Sequence, residues 1–191
     1  MSKKLKVVGF DPSTSNWGVA IAEVDIDTLE VEIKNLIIYE TEPETKKGVR
    51  KESDDLRRAK ILYGGMMLSC TGTAFVIAEI PFMNPGSYAS ANFNSGLVTG
   101  VLASCPIPII QVFPQDVKQL ATGSRHAAKE EMIEWAISKH PNAPWKLVKR
   151  GGKMVPTKAN EHLADAVAAI YAGLQTEQFR QAVSMYKAMS A

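Results

Sequence analysis

Three carboxylates in this chain stand where rigid elements should end. Asp11 closes the apolar run "VVGFD", Glu79 lies near the end of "FVIAEI", and Asp165 sits in "NEHLADAVAAI", with His162 three and Glu161 four residues before it. Residues three or four apart share a helix face, so either His162 or Glu161 can accompany Asp165. Carboxylates gathered in one place repel and raise one another's pKa unless something positive sits among them, and a hard divalent cation held by their oxygens is the usual solution. Taken singly, each residue has an ordinary explanation. Asp-Pro starts turns, Glu79 can be a strand-end charge in water, Glu161 and Asp165 suit the positive end of a helix dipole, and His162 can be a surface histidine. Their joint order, each at the end of a suitable element, is what favours chemistry.

The elements that must position them follow from periodicity. Residues 4–11 read as a strand, 17–24 and 31–41 as two more, the last two joined by "DIDTLE", whose Asp and Thr suit a hairpin. Three successive strands with short links imply an antiparallel meander. The polar stretch "EPETKKGVRKESDD" precedes Leu56, Ala59, Ile61, Leu62, Met66 and Met67 at helical spacing. Residues 74–80 form a short buried strand, 87–104 a helix rich in small residues, and 107–113 another buried strand. Helices are expected at 114–121, 127–139, 161–174 and 177–189, while "PNAPWKLVKRGGKMVP" reads as a long loop before the penultimate one. The order strand-strand-strand-helix-strand-helix-strand-helix gives an α/β fold: a mixed five-stranded sheet, three antiparallel strands then two parallel, with helices on both faces. Parallel neighbours present their carboxyl ends to one crevice, which brings Asp11 and Glu79 together.

At 191 residues, 46% hydrophobic and 22% charged, the chain suits one domain over 1–191 with a sizeable core. No apolar run approaches the ~18–20 residues that cross a bilayer, and a cytoplasmic protein without a membrane partner is expected. Cys70 and Cys105 lie in apolar surroundings without metal-ligand spacing and read as free buried thiols. Net charge is +2 but uneven: residues 112–160 carry nine Lys or Arg against four acids, whereas the preceding part has eleven against thirteen. A polyanion-attracting surface belongs to the second half; a merely solvated face is the plainer explanation.

"GFDPSTSNWGVAI", "VIAEIPF", "VFPQDVKQLATGSRHAAKEEMI" and "NEHLADAVAAI", in that order, resemble the RuvC-type Holliday junction resolvases of the RNase H-like superfamily. The resemblance implies catalytic and metal-ligating roles for Asp11, Glu79, His162 and Asp165. It further implies that Phe82 is the aromatic near the junction crossover and that Lys118 and Lys129 contact the DNA backbone near the scissile phosphate. Lys149, Arg150 and Lys153, in the long segment 141–158, are added as DNA-binding candidates from their charge. The sequence departs from the pattern at Ser124-Arg125-His126, at the two prolines of "IPFMNPGSYAS", and in the length of 141–158, which resembles versions carried by bacteriophages.

The activity implied is metal-dependent hydrolysis of phosphodiesters in opposed strands of four-way and other branched DNA by a homodimer. The implied cofactor is two Mg²⁺ per active site, with Mn²⁺ as a substitute, acting on the attacking water and the leaving oxygen. Ala89, Gly96, Gly100 and Ala103 would permit close packing of the small-residue helix in such a dimer. Two other readings compete. "DPSTSNWG" could cradle a phosphate as in actin-like ATPases and sugar kinases, although the chain has no second Gly-rich loop and little room for two lobes. A non-catalytic protein that binds branched DNA would not need the three acids together.

Overall fold

The computed structural model describes residues 3–81, 86 and 88–189. Five strands form one sheet in the order β3-β2-β1-β4-β5: β1 Lys4–Asp11, β2 Asn16–Asp25, β3 Val31–Glu40, β4 Phe75–Glu79 and β5 Ile109–Val112. β1 pairs antiparallel with β2 and parallel with β4, and β4 pairs parallel with β5. The expected meander followed by two parallel strands is therefore present. Asp25 shapes the β2–β3 connection by accepting hydrogen bonds from the amides of Asp27 and Thr28, an Asx turn that mimics a backbone turn.

Alternation along the strands divides the core in two. Val8, Phe10, Trp17, Val19, Val76 and Ala78 face α1 Lys51–Cys70 and α2 Ala89–Ala103. Trp17 is a packing residue, stacked edge-on against Phe10 with ring centroids 5.6 Å apart. Leu5, Val7, Ala20, Ala22 and Ile77 face the other layer, which contains α3 Pro114–Thr122, α4 Lys129–Lys139, α5 Asn160–Leu174 and α6 Glu177–Met189. Helix ends carry their usual signals. Pro114 opens α3 and Gly123 ends it at φ 79°, while the Glu131 carboxylate accepts from the Ala128 amide at 2.6 Å to start α4.

Two expectations need correction. α1 begins at Lys51, inside the stretch taken as polar connection, because Asp54, Asp55 and Arg58 are themselves buried. The long loop is a β-hairpin, β6 Leu147–Arg150 paired antiparallel with β7 Lys153–Pro156. Part of the small-residue helix expected at 87–104 begins outside the described residues; α2 itself starts at Ala89. Cys70 and Cys105 are free, one buried and one half-buried, with sulfurs 3.7 Å apart.

α5 is the central helix of its layer. Its Leu163, Ala166, Val167, Ala168, Ala169 and Ile170 are fully buried, and the alanines let it lie close to the sheet. Glycines on the strands complete the approach. A Cβ on Gly9 would stand 2.1 Å from the carbonyl oxygen of Ala166, and one on Gly18 would stand 2.1 Å from that of His162. These are backbone atoms of a packed helix, so the clash cannot be relieved by a rotamer change. Gly18→Ala is expected to destabilise by about 1–3 kcal/mol, the cost of overpacking. Gly64→Ala, where an added Cβ meets nothing within 4 Å on α1, should stabilise by up to about 1 kcal/mol. Thermal denaturation of the two variants beside the parent checks the pair; equal midpoints would refute the close-approach account.

Candidate active site

Asp11 and Glu79 end adjacent parallel strands, one step beyond the paired Phe10 and Ala78. By alternation both project to the α5 side, the side of Val7 and Ile77. The first turn of α5 crosses the mouth of this crevice and adds Glu161, His162 and, one turn on, Asp165. His162 Nδ1 lies 2.7 Å from Asp11 Oδ2. Glu161, one residue earlier and about 100° round the helix, turns away and pairs with Lys129 Nζ at 2.5 Å. The two residues that the sequence left as alternatives beside Asp165 thus do different things: His162 meets Asp11, and Glu161 holds a lysine at the start of α4.

The electrostatics are those of crowded acids. Burial, and then the charges of Asp11 and Asp165, push Glu79 up to about 8, with Lys118 partly offsetting them. Burial, Asp11 and Glu161 push Asp165 up to about 7, against the opposing pull of His162 and Lys118. His162 is raised from the ordinary imidazole range by its hydrogen bond to Asp11, against the cost of its burial. With Nδ1 engaged by Asp11, Nε2 is the ring nitrogen left for another partner.

The donor set, three carboxylates and an imidazole in a partly buried crevice, fits the chemistry of a hard divalent cation. Among the described residues, however, no three His, Cys, Asp or Glu side chains converge on a common centre in this arrangement. His162 occupies one Asp11 oxygen, and Glu79 and Asp165 are coupled to Asp11 by charge.

The remaining candidates fall as follows. Lys118, on α3, is half-buried within electrostatic reach of Glu79 and Asp165. Lys129 reaches the site's rim through Glu161. Lys149, Arg150 and Lys153 stand exposed on the hairpin, whereas Phe82 lies outside the described residues. The turn after Asp11 has its polar groups engaged: the Ser13 hydroxyl bonds the backbone of Asn16. Arg58, buried on α1, donates to the Thr14 carbonyl, the Ser15 hydroxyl and the Thr41 hydroxyl at 3.0–3.1 Å. Sequence reasoning missed Arg58, whose position within a charged stretch hides that it is the clamp on this turn.

Comparison with known proteins follows the same lines. The chain is 30% identical over 173 residues to the crossover junction endodeoxyribonuclease RuvC of Carboxydothermus hydrogenoformans, covering 88% of this chain and 95% of that protein. Among solved structures, T. thermophilus RuvC in complex with Holliday junction substrate superposes with a TM-score of 0.62 at 20% identity, covering 89% of this chain and 96% of that one. Thermus thermophilus RuvC on its own gives 0.58 at 21%, over 87% and 92%. No family model matches the chain.

The raised acids fix the sign of a pH effect. A carboxyl whose pKa is higher folded than unfolded favours the protonated fold, so its contribution is fully present below the ordinary value and is lost as pH rises towards the folded one. For Glu79 the window runs from 4.5 to about 8 and for Asp165 from 3.8 to about 7. In chelator, the thermal midpoint should therefore fall from about pH 5 to about pH 8. Glu79→Gln should recover at least ~1 kcal/mol at the upper end, roughly 2–4 °C. Midpoint curves of parent and Glu79→Gln that stay parallel across the range would contradict this account.

Proposed function

The chain belongs to the RuvC family of crossover junction endodeoxyribonucleases, and on that premise we propose that it is a structure-selective, divalent-metal-dependent endodeoxyribonuclease that resolves four-way DNA junctions. The observation that carries the reading is the burial of Glu79 and Asp165 beside Asp11, which pushes both acids up to about 7–8. Acids crowded in this way are relieved either by protonation or by a bound cation, and a divalent cation is the relief that also serves phosphodiester hydrolysis. The family's activity supplies the substrate, branched DNA, and the implied cofactor is Mg²⁺.

Asp11, Glu79 and Asp165 would hold the metal, His162 being the fourth donor. When bound, the metal would activate water and stabilise the leaving 3′ oxygen of the phosphodiester. The chain's own residues do the rest. β1 and β4 fix two carboxylates on strand ends, where backbone pairing limits their drift. His162 holds Asp11 in place through Nδ1; with Asp11 engaged elsewhere, the imidazole is free to orient or deprotonate water. Lys118 offsets the carboxylates' charge from α3, and Glu161 sets the reach of Lys129 toward a phosphate near the cut.

A second copy of the chain is part of the reading, since two opposed strands need two sites. The groove between α1 and α2 supports it: Tyr63 is exposed there, Leu97 lines it, and Gly96 and Gly100 leave open space where a Cβ would sit. Small residues unused inside one chain suit close approach by another. Static light scattering at micromolar concentration should give the dimer mass. Gly100→Arg, whose Cβ would meet nothing within 4 Å in its own chain, should give the monomer and lose paired cleavage; a monomeric parent that still resolves junctions would remove this part of the proposal.

Cleavage of a synthetic four-way junction tests the chemistry. Asp11→Asn, Glu79→Gln and Asp165→Asn should each cut the rate at least about a thousandfold while leaving junction binding intact, and any two combined should add little. His162→Ala should be partly rescued by higher pH or more metal, according to whether it served as base or ligand. Glu161→Gln should remain active with a moderate loss, as its work is to position Lys129. A folded, active Asp11→Asn protein would sink the nuclease reading.

A further inference from the structure

The β6–β7 hairpin has no counterpart in the chemistry described so far. Its tip is a two-residue turn, Gly151 at φ 55° and Gly152 at φ 81°, the pair of positive φ angles that a type I′ turn demands. Four residues per strand make a ribbon about 13 Å long. Every strand residue except the half-buried Val155 is exposed, including Leu147, Val148 and Met154.

The base of the ribbon is rigid. Asn160, fully buried at the start of α5, accepts from the Lys146 amide at 2.9 Å and donates to the Lys146 carbonyl at 2.8 Å. The Thr157 amide donates to the same carbonyl. Trp145, packed in the core, donates its indole N–H to the His140 carbonyl. The ribbon is thus fastened to the helical turn that carries Glu161 and His162.

Its charge is one-sided in sign and two-sided in space. Residues 135–160 contain six Lys or Arg and no Asp or Glu. Among the described residues none of the Lys149, Arg150 or Lys153 side chains forms an ion pair, whereas Lys51 and Arg57 on α1 are paired with Asp55 and Asp54. In the register Lys149↔Met154 and Arg150↔Lys153, alternation puts Lys149 with Met154 and Leu147 on one face and Arg150 with Lys153 and Val148 on the other. A strip lying on a single backbone would need cations on one face only. Cations on both faces suit a ribbon flanked by two phosphate walls. The major groove, ≈ 12 Å wide, admits a two-stranded ribbon; the minor groove, ≈ 6 Å wide, does not.

We propose that the β6–β7 ribbon seats tip-first in the major groove of a duplex arm, with Lys149 and the Arg150–Lys153 pair facing its opposite walls and Met154 near base edges. Being fixed to α5, it sets the distance between the arm and the acids, and it makes base sequence in that arm a determinant of where cutting occurs. The inference rests on the proposed junction substrate.

Dimethyl sulfate protection tests it, using a synthetic four-way junction with arms of two helical turns, in EDTA so that no strand is cut. The reagent methylates guanine N7 in the major groove and adenine N3 in the minor. The parent should protect N7 positions in an arm away from the crossover, and pre-methylation of those guanines should weaken binding by unchanged protein. Lys149→Gln/Arg150→Gln/Lys153→Gln should lose the protection, keep the parent's thermal midpoint, and flatten log affinity against log salt by about 2.7, three contacts at ~0.9 each. Protection of adenine N3 instead, protection that survives in the triple variant, or N7 positions reactive in both would overturn the ribbon's role. A parent that binds the junction no better than a linear duplex would overturn the proposed function itself, a result distinct from these.

Discussion

The closeness of α5 to the sheet is the constraint on which the rest depends. Gly9 and Gly18 give up their side chains so that the carbonyls of Ala166 and His162 can lie almost on the strands, and the alanines of α5 do the same from the helix side. At ordinary helix–sheet spacing, His162 could not reach Asp11 at 2.7 Å, and Asp165 would not share the low-dielectric crevice that couples it to Glu79. Packing at one contact therefore sets the electrostatics of the site.

Those electrostatics run against stability. Burying Glu79 and Asp165 among other acids costs free energy at neutral pH that no nearby cation fully returns, since Lys118 is the lysine acting on both and Lys129 is engaged by Glu161. The surrounding structure has to hold the strain. It does so with β1 in the middle of the sheet, hydrogen-bonded on both sides, and with Arg58 pinning the turn that follows Asp11. Natural sites commonly accept such local cost, with the compensation found in the elements that carry them.

Much of this was legible in the residues. The meander, the two parallel strands and the helices follow from apolar periodicity, and the placing of Asp11 and Glu79 on neighbouring parallel strand ends follows from the strand order. Spacing alone did not separate Glu161 from His162, since both satisfy it; the family resemblance chose His162, and the position of α4 is what engages Glu161 with Lys129. The start of α1 was hidden because its first buried residues, Asp54, Asp55 and Arg58, look like solvent-facing charge. The β6–β7 hairpin did leave a signal: Gly151-Gly152 between "LVKR" and "KMVP" is a two-residue hairpin loop. The density of lysine around it masked the pattern, since charge at every second or third position blurs an alternation whose apolar members, Leu147, Val148 and Met154, are themselves exposed.

The hydrogen bond between His162 and Asp11 joins residues 151 positions apart. β1 is made early in synthesis, yet the acid it carries finds its neighbours only after β4 has paired and α5 has docked. Such long-range closure is slow and late relative to local helix formation. A growing or partly unfolded chain can thus carry every acid of the site without assembling it, and hydrolytic competence becomes a report on completed folding. For a protein of this kind the topology is a safeguard: fragments and intermediates near DNA hold the acids apart, and they come together only when α5 docks on the sheet.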